Sequence, residues 1–180
     1  MSFSKPMKRL VLMRHAKTEP WDHGIEDAGR VLMPSGQRDA ALIAAELAKR
    51  NWAPDRVLMS SARRTRETWK YMAERLSPAK TDVLDKLYLA GTQALNEVIR
   101  DNTQIGTLML LGHNPGLHDL AASISSRSGT KNQKAAMTLA AKMPTSATAL
   151  FEAAEDGDFD GSAFKLVDFI VVKTIRPPEI

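Results

Sequence analysis

Short apolar runs that are continuous rather than alternating, each followed by a stretch with helical spacing, constrain this fold more than any other feature of the sequence. Arg9 to Met13 is the first run, and Ser35 to Lys49 follows it with Ala41, Leu42, Ala45 and Leu47 at spacings that suit an amphipathic helix. "DRVLMSS" at 55–61 is the second, followed by Trp69, Met72 and Leu76 at i, i+3 and i+7. "TDVLDKLY" reads as a brief third strand, after which Thr92 is the expected N-cap of a helix carrying Leu95, Val98 and Ile99. "GTLMLLGH" at 106–113 is the clearest strand. Beyond it, Asn114 as N-cap and Pro115 as first helical residue open a helix with Leu117, Leu120, Ala121 and Ile124 on one face. A strand that is apolar at every position must be covered on both faces, and parallel neighbours are joined through helices. The predicted fold is therefore α/β, a three-layer sandwich with a mostly parallel central sheet flanked by helices, in one domain over 1–180.

"SATALFEA" and "FKLVDFIVV", flanking the Gly/Asp-rich "EDGDFDGS", read as a hairpin at one sheet edge; "RSGTKNQK" reads as a loop and "AAMTLAAKM" as a short helix. No cysteine is present, so disulfides and thiolate metal sites are excluded, which is compatible with a reducing cytoplasm. The apolar run closed by Arg14 is too short for a secretory signal, and no run reaches the ~18 residues of a membrane span. The expectation is a soluble, cytoplasmic protein that does not engage a membrane. A net charge of +4 favours anionic partners in general. The cations are scattered, however, and no aromatic–basic platform of the kind that binds single strands is visible, so nucleic acid is not the expected partner.

Ligands of open α/β sheets bind at the carboxyl ends of strands. Arg14 and His15 follow the first strand, "SSARRTR" the second and His113 the later one, so parallel strands bring two imidazoles and at least two guanidiniums to one edge. Arginine forks match phosphate oxygens bidentately, and a helix starting at Asn114 adds backbone donors of the same sign. A neutral histidine nitrogen in such a pocket can attack phosphorus while the surrounding charge stabilises the transferring group. Arg63, Arg64 and Arg66 diverge at about 100° per residue, so one or two of them reach the pocket, and geometry alone does not separate Arg63 from Arg64. A metal pair from His113 and His118 is disfavoured, because a five-residue spacing sets them about 140° apart on a helix; neither a metal nor a cofactor is expected. His23 is read as a loop-surface residue and His118 as a helix-surface residue. Ser60 and Ser61 are read as N-caps, since no serine-elbow motif surrounds them, and Trp21, Trp69 and the methionines as core or loop packing.

At these residues the chain resembles the histidine phosphatase superfamily, whose signature is Arg-His-Gly at the end of the first strand; the matching text here is "LMRHAKT". The resemblance is strongest to the small SixA-type phosphohistidine phosphatases, which share the overall length, the "SSARRTRET" segment, the "LGHNPG" segment and the "PTSA" strand start. It implies a phosphoglycerate-mutase-like fold, with His15 as the nucleophile that accepts the phosphoryl group and Arg14, Arg64 and His113 completing the pocket. Arg64 is chosen over Arg63 by the family spacing from Ser60 and to "ET", which leaves the other arginines as a solvated rim. The resemblance also makes Lys17 and Thr18 phosphate contacts, weighed against a solvated lysine and a turn threonine. Arg30, in a segment similar to the family's "RPLT..G" with Val31 in place of Pro, would hold its loop near the pocket. Ala16 replaces the family's glycine, a substitution that fits a negative φ.

Larger superfamily members carry an acid soon after the third strand, where this chain has "DKLYLAG". Asp85 is the nearest candidate, and Tyr88 stands about where that acid is expected. An alkoxide leaving group needs a proton, whereas imidazole, whose cation titrates near pKa ~6.5, needs little help. With no clear acid and short inserts that leave the pocket open, the expected function is a metal-independent phosphatase acting through a phosphohistidine intermediate on phosphohistidine of a protein. The alternatives are a phosphatase of small phosphomonoesters, a mutase, for which recognition groups and an acid are lacking, and a non-catalytic phospho-ligand binding module. Oligomeric state is left open.

Overall fold

The structure is a computed structural model that describes residues 7–22, 24–153 and 164–176. The "LVLM" run lies in β1 (Arg9–Arg14), with Leu10 to Met13 all buried, and such a strand needs partners on both edges. On one side it pairs in parallel with β4 (Thr107–Gly112), on the other antiparallel with β5 (Thr148–Ala153). Beyond β4 come β2 (Arg56–Ser60) and β3 (Lys80–Leu84), both parallel, and beyond β5 comes β6 (Phe164–Ile170), antiparallel to it. The sheet order is β3-β2-β4-β1-β5-β6. The expected edge hairpin is thus present as β5 and β6, while its turn lies outside the described residues. β3 is largely exposed, and its charged Lys80 and Asp82, the latter paired with Arg56 at 2.7 Å, suit an edge strand.

Successive side chains of β1 face opposite ways. Leu10 and Leu12 join Leu58, Leu108 and Leu110 against α3 (Thr92–Arg100), α4 (Gly116–Ser128) and α5 (Gln133–Ala141). Val11 and Met13 join Val57, Met59 and Met109 against α1 (Pro34–Lys49), α2 (Arg63–Leu76) and the short α6 (Val172–Ile175). This is the three-layer α/β sandwich. No helix among the described residues is long and apolar enough to cross a membrane.

Several local expectations are corrected. α1 buries Gly36, Asp39, Ala40, Ile43, Ala44 and Leu47 rather than the face through Ala41, Leu42 and Ala45; in "AALIAAELA" apolar residues occur all round the helix, and contact with α2 selects the stripe. Thr92 is the first residue of α3, whose cap is Gly91, and Ser60 and Ser61 precede Ala62, the cap of α2. α4 begins at Gly116 with Pro115 as its cap, and the Asn114 side chain donates to the Met143 carbonyl instead. The "RSGTKNQK" loop is shorter than expected, spanning 129–132: α4 runs to Ser128 and stops at Gly129, with φ 77°, and Asn132 caps α5 by accepting a hydrogen bond from the Ala135 N–H at 3.0 Å.

Two glycines allow backbones to touch. A Cβ on Gly36 would lie 2.2 Å from the Lys17 carbonyl oxygen, and one on Gly116 would lie 1.9 Å from that of Ala90. Neither neighbour is a flexible side chain that can yield. Gly36→Ala is expected to destabilise the fold by about 1–3 kcal/mol, the usual range for overpacking. In a thermal scan this appears as a midpoint lower by several degrees, since ~1 kcal/mol moves a domain of this size by about 2–4 °C.

Candidate active site

The register of the parallel strands builds the site. Arg14 lies opposite Gly112 and Met59 opposite Leu111, so the exits of β1, β4 and β2 stand side by side. His15 and His113, one residue beyond their strands, come to 5.4 Å between ring centroids. They share a cavity of about 430 Å³ with Arg14, Lys17, Thr18, Asp27, Arg30, Arg64, Leu89, Asn114 and Thr145. All seven side chains expected at the site from the sequence line it.

His15 is 8% exposed, and its Nδ1 lies 2.8 Å from the Ala16 carbonyl oxygen. A carbonyl only accepts, so the proton sits on Nδ1 and the lone pair on Nε2. Burial pushes the ring's pKa down to about 3; the Ala16 hydrogen bond works upward, and His113, Arg64 and Arg14 add to the downward push. His15 is neutral at pH 7. Its main chain is fixed as well, because its carbonyl accepts from the N–H of Ser146, a buried residue held at φ 62°. Ala16 is not among the residues of positive φ, in agreement with alanine standing where the family has glycine.

The face of α2 that carries Arg64, Glu67 and Thr68, at i, i+3 and i+4, explains the segment "RRTRET". Thr68 Oγ1 accepts from the Ala16 N–H at 3.0 Å, and Glu67 accepts from the Leu32 N–H at 2.8 Å, so two neighbours of Arg64 hold the loop that follows His15. Arg64 is 3% exposed, while Arg63 and Arg66 face solvent, and Arg63 pairs with Glu67. The Arg64 guanidinium donates from Nε to His113 Nδ1 at 3.2 Å, from Nη1 to the Asp27 carbonyl at 2.6 Å and from Nη2 to Asp27 Oδ2 at 2.9 Å. With Nδ1 of His113 accepting, its Nε2–H donates to Ser60 Oγ at 2.7 Å. Burial foremost, with Arg64 next, pushes His113 down to about 4, although Asp27 pulls it upward.

Arg14 donates from Nη1 to the Met143 carbonyl, which also accepts from Asn114 Nδ2 at 2.9 Å, so one loop oxygen ties two pocket residues together. Asn114 is therefore a loop tie and not a helix cap. The Leu117 N–H is taken by the His113 carbonyl, so that donor of the first turn of α4 is not offered to the pocket. Arg14 Nε is buried without a hydrogen-bond partner. Arg30 donates to Thr18 Oγ1 at 2.7 Å and to the Glu19 carbonyl at 3.0 Å, holding the loop as expected from the family segment. Lys17 is exposed at the rim.

Asp27 was not apparent from the sequence. It stands in a 3-10 turn, Asp27–Gly29, and accepts from Arg64, from Tyr88 Oη at 2.8 Å and more loosely from Arg30 at 3.4 Å. Its one sequence signal is the i, i+3 spacing to Arg30 in "DAGR". Asp85 is exposed and does not line the cavity, whereas Tyr88 stands edge-on to His113 and donates to Asp27, two residues that do. Ser60, read as a cap, instead braces His113. His118 is half-buried with Nε2 on the Leu139 carbonyl rather than at the surface, and His23 lies outside the described residues.

The two depressed histidines couple the site to stability. An unfolded histidine titrates near ~6.5, well above the values held by His15 and His113 in the fold, so between those limits the unfolded chain binds protons that the folded one refuses. Stability is fully present above pH ~6.5 and is lost as the pH falls. Unfolding free energies measured from pH 7 to 5 are expected to decline for the unmodified chain and to decline less steeply for His15→Ala, by up to about one proton's worth of slope. Equal slopes would show that His15 titrates normally in the fold.

Residues 10–88 match the family model described as "Histidine phosphatase superfamily (branch 1)". An uncharacterized protein of Mycobacterium tuberculosis is 35% identical over 162 residues, 88% of this chain and 99% of its own. An uncharacterized chloroplastic protein of Arabidopsis thaliana is 33% identical over 132 residues, 67% of this chain but only 61% of its own length. Among solved structures, an assigned phosphohistidine phosphatase SixA from Agrobacterium tumefaciens is 27% identical with a TM-score of 0.77, covering 93% of this chain and 99% of that one. The protein histidine phosphatase SixA complexed with tungstate shares the fold at a TM-score of 0.70 and 19% identity, covering 93% of this chain and 99% of that one. With Arg14, His15, Arg64 and His113 gathered at one sheet edge, the chain belongs to the histidine phosphatase superfamily, in its SixA-like branch, and is a phosphohydrolase.

Proposed function

We propose that this chain removes the phosphoryl group from phosphohistidine of a protein substrate, without a metal, by way of a phosphohistidine formed on His15. The observation that carries this reading is the His15 ring, neutral and protonated on Nδ1, with Nε2 as the free nucleophile in a cluster of guanidiniums. Nε2 attacks phosphorus, the bond to the leaving group breaks, and the new phosphohistidine keeps its proton on Nδ1. Water then attacks phosphorus and the electron pair returns to Nε2, regenerating neutral His15 and inorganic phosphate. Arg14 and Arg64 stabilise the charge on the transferring oxygens in both steps, and the partnerless Nε of Arg14 is a donor that a phosphoryl oxygen would satisfy. His113, neutral and locked between Arg64 and Ser60, holds the guanidinium in place. Lys17, Thr18 and Arg30 shape the rim.

Two features favour phosphohistidine over an alkyl phosphate. Tyr88 and Arg64 oppose the upward effect of burial on the Asp27 carboxyl and hold it below the usual carboxylate range, so this acid has no proton to give an alkoxide. The rim, with Lys17 and Leu89 exposed, leaves room for a side chain carried on a protein. The SixA neighbours support the same reading, and tungstate, bound by one of them, is a tetrahedral oxyanion like phosphate.

Trapping tests the intermediate. With a labelled phosphodonor and an alkaline quench, an acid-labile phosphoryl group is expected on His15 and none on His15→Ala. Arg64→Ala and Arg14→Ala are each expected to lower kcat/KM by about 10²–10³, the range seen when a preorganised donor is removed. A phosphohistidine peptide assayed beside small phosphomonoesters is expected to be the better substrate, and turnover confined to the monoesters would reject the substrate class.

A further inference from the structure

Asp27 stands between two hollows. It lines the inner cavity with His15 and also an outer one of about 480 Å³, whose other lining residues are Trp21, Gly24, Ile25 and Glu26, with Trp21 and Ile25 exposed. A substrate whose phosphorus lies against His15 and whose body occupies the outer hollow has its leaving group beside Asp27. The carboxylate still has capacity to accept. Its Oδ2 takes Arg64 and Tyr88, but Oδ1 has only the long contact from Arg30. The charged and titratable groups facing it are Arg64 from α2, Tyr88 from the segment after β3 and Arg30 from its own loop, with Arg14, His15, Lys17 and His113 on the same cavity.

Leaving-group chemistry shows what such a carboxylate can do. When the bond from phosphorus to one ring nitrogen of a phosphohistidine breaks, the electron pair goes to that nitrogen. If the far nitrogen carries no proton the product is an imidazolate, a poor leaving group; if it carries one, neutral imidazole departs with that proton. Within the function proposed above, we propose that Asp27 is a specificity-determining residue that accepts a hydrogen bond from the far ring N–H of the substrate phosphohistidine. The phosphorus–nitrogen bond of the substrate breaks as the bond to His15 Nε2 forms, and the far N–H stays on the departing ring throughout. The same negative charge disfavours an ester dianion whose leaving oxygen needs a proton. For His15 itself, the Ala16 carbonyl already does the equivalent task on Nδ1.

Asp27→Asn tests this in single turnover with enzyme in saturating excess, which reads the first transfer alone. On a phosphohistidine peptide at pH 8 the rate constant is expected to fall at least about tenfold, and its alkaline limb to move down by about one pH unit, because a carboxylate near a cation raises that cation's pKa by one unit or more. On para-nitrophenyl phosphate, whose leaving group needs no proton, the rate is expected to rise, since a negative charge has left the pocket. Equal loss on both substrates with the limb in place would overturn the proposal and make Asp27 a brace for Arg64, and no change on either would overturn it too. Should the variant melt early, the unmodified enzyme carries the test: a limb above the ring pKa of the free peptide supports the proposal, and a limb at that value overturns it. A chain that labels His15 from para-nitrophenyl phosphate but never turns over the peptide refutes the substrate reading itself, whereas turnover of the peptide indifferent to Asp27 refutes only this proposal.

Discussion

The parallel register of β1 with β4, which sets Arg14 beside Gly112, is held by packing on both faces of the sheet. Leu10 and Leu12 belong to the core under α3, α4 and α5, and Val11 and Met13 to the core under α1 and α2. Sliding β1 by one residue would exchange these sets and turn every side chain to the wrong layer. The core therefore fixes where the strand ends, and the strand end fixes where His15 meets His113. Site geometry and hydrophobic packing are one constraint here, which is why a four-residue apolar run closed by Arg-His says so much about the fold and the site together.

Gathering cations at one edge works against stability, and the structure shows how the repulsion is contained. Burial and the neighbouring Arg64 both lower the Arg14 pKa, while the Met143 carbonyl accepts from its Nη1. Arg64, almost wholly buried, is matched by Asp27 through both a carboxylate oxygen and a main-chain carbonyl. The histidines avoid adding charge by staying neutral. What remains is a set of donors not fully matched, with the Nε atoms of Arg14 and Arg30 buried and partnerless on residues that line the cavity, where an oxyanion would supply the acceptor that Arg14 lacks. Backbone strain gathers there too, since of the three non-glycine residues with positive φ among the described residues, Leu89 lines the cavity and Ser146 holds the His15 carbonyl.

The strands and the sheet edge bearing the site were legible because continuous apolar runs and strand-end residues are local signals that the core leaves unchanged. The buried stripe of α1 was not legible, since "AALIAAELA" offers apolar residues on every side and only the partner helix chooses among them. Selecting Arg64 over Arg63 took the family spacing; in the fold the reason is the face shared with Glu67 and Thr68, both holding the loop after His15. Ser60, Asn114 and Asp27 were misread or missed for one reason. Their partners are far along the chain, at His113, Met143 and Arg64 respectively, and no local period reports contacts made through loops. Asp27 is the sharpest case, because larger family members carry their acid after β3, whereas the carboxylate on this cavity comes from the loop before α1.

Alanine in place of the family's glycine after the nucleophile bears on the same chemistry. The Ala16 side chain is fully buried in the core layer under α1 and α2, and its N–H is fixed by Thr68. A Cβ narrows the conformations open to the unfolded chain at no steric cost where φ is negative, and packing the methyl group holds the peptide that follows. That peptide carries the carbonyl which keeps the proton on His15 Nδ1. If that carbonyl turned away, the ring would be free to present its protonated nitrogen to phosphorus, and the phosphorylated form would lose the proton that makes it a good leaving group for water. In this chain the methyl group reaches the reaction through one hydrogen bond, and the tautomer of the nucleophile is a consequence of how the core is packed.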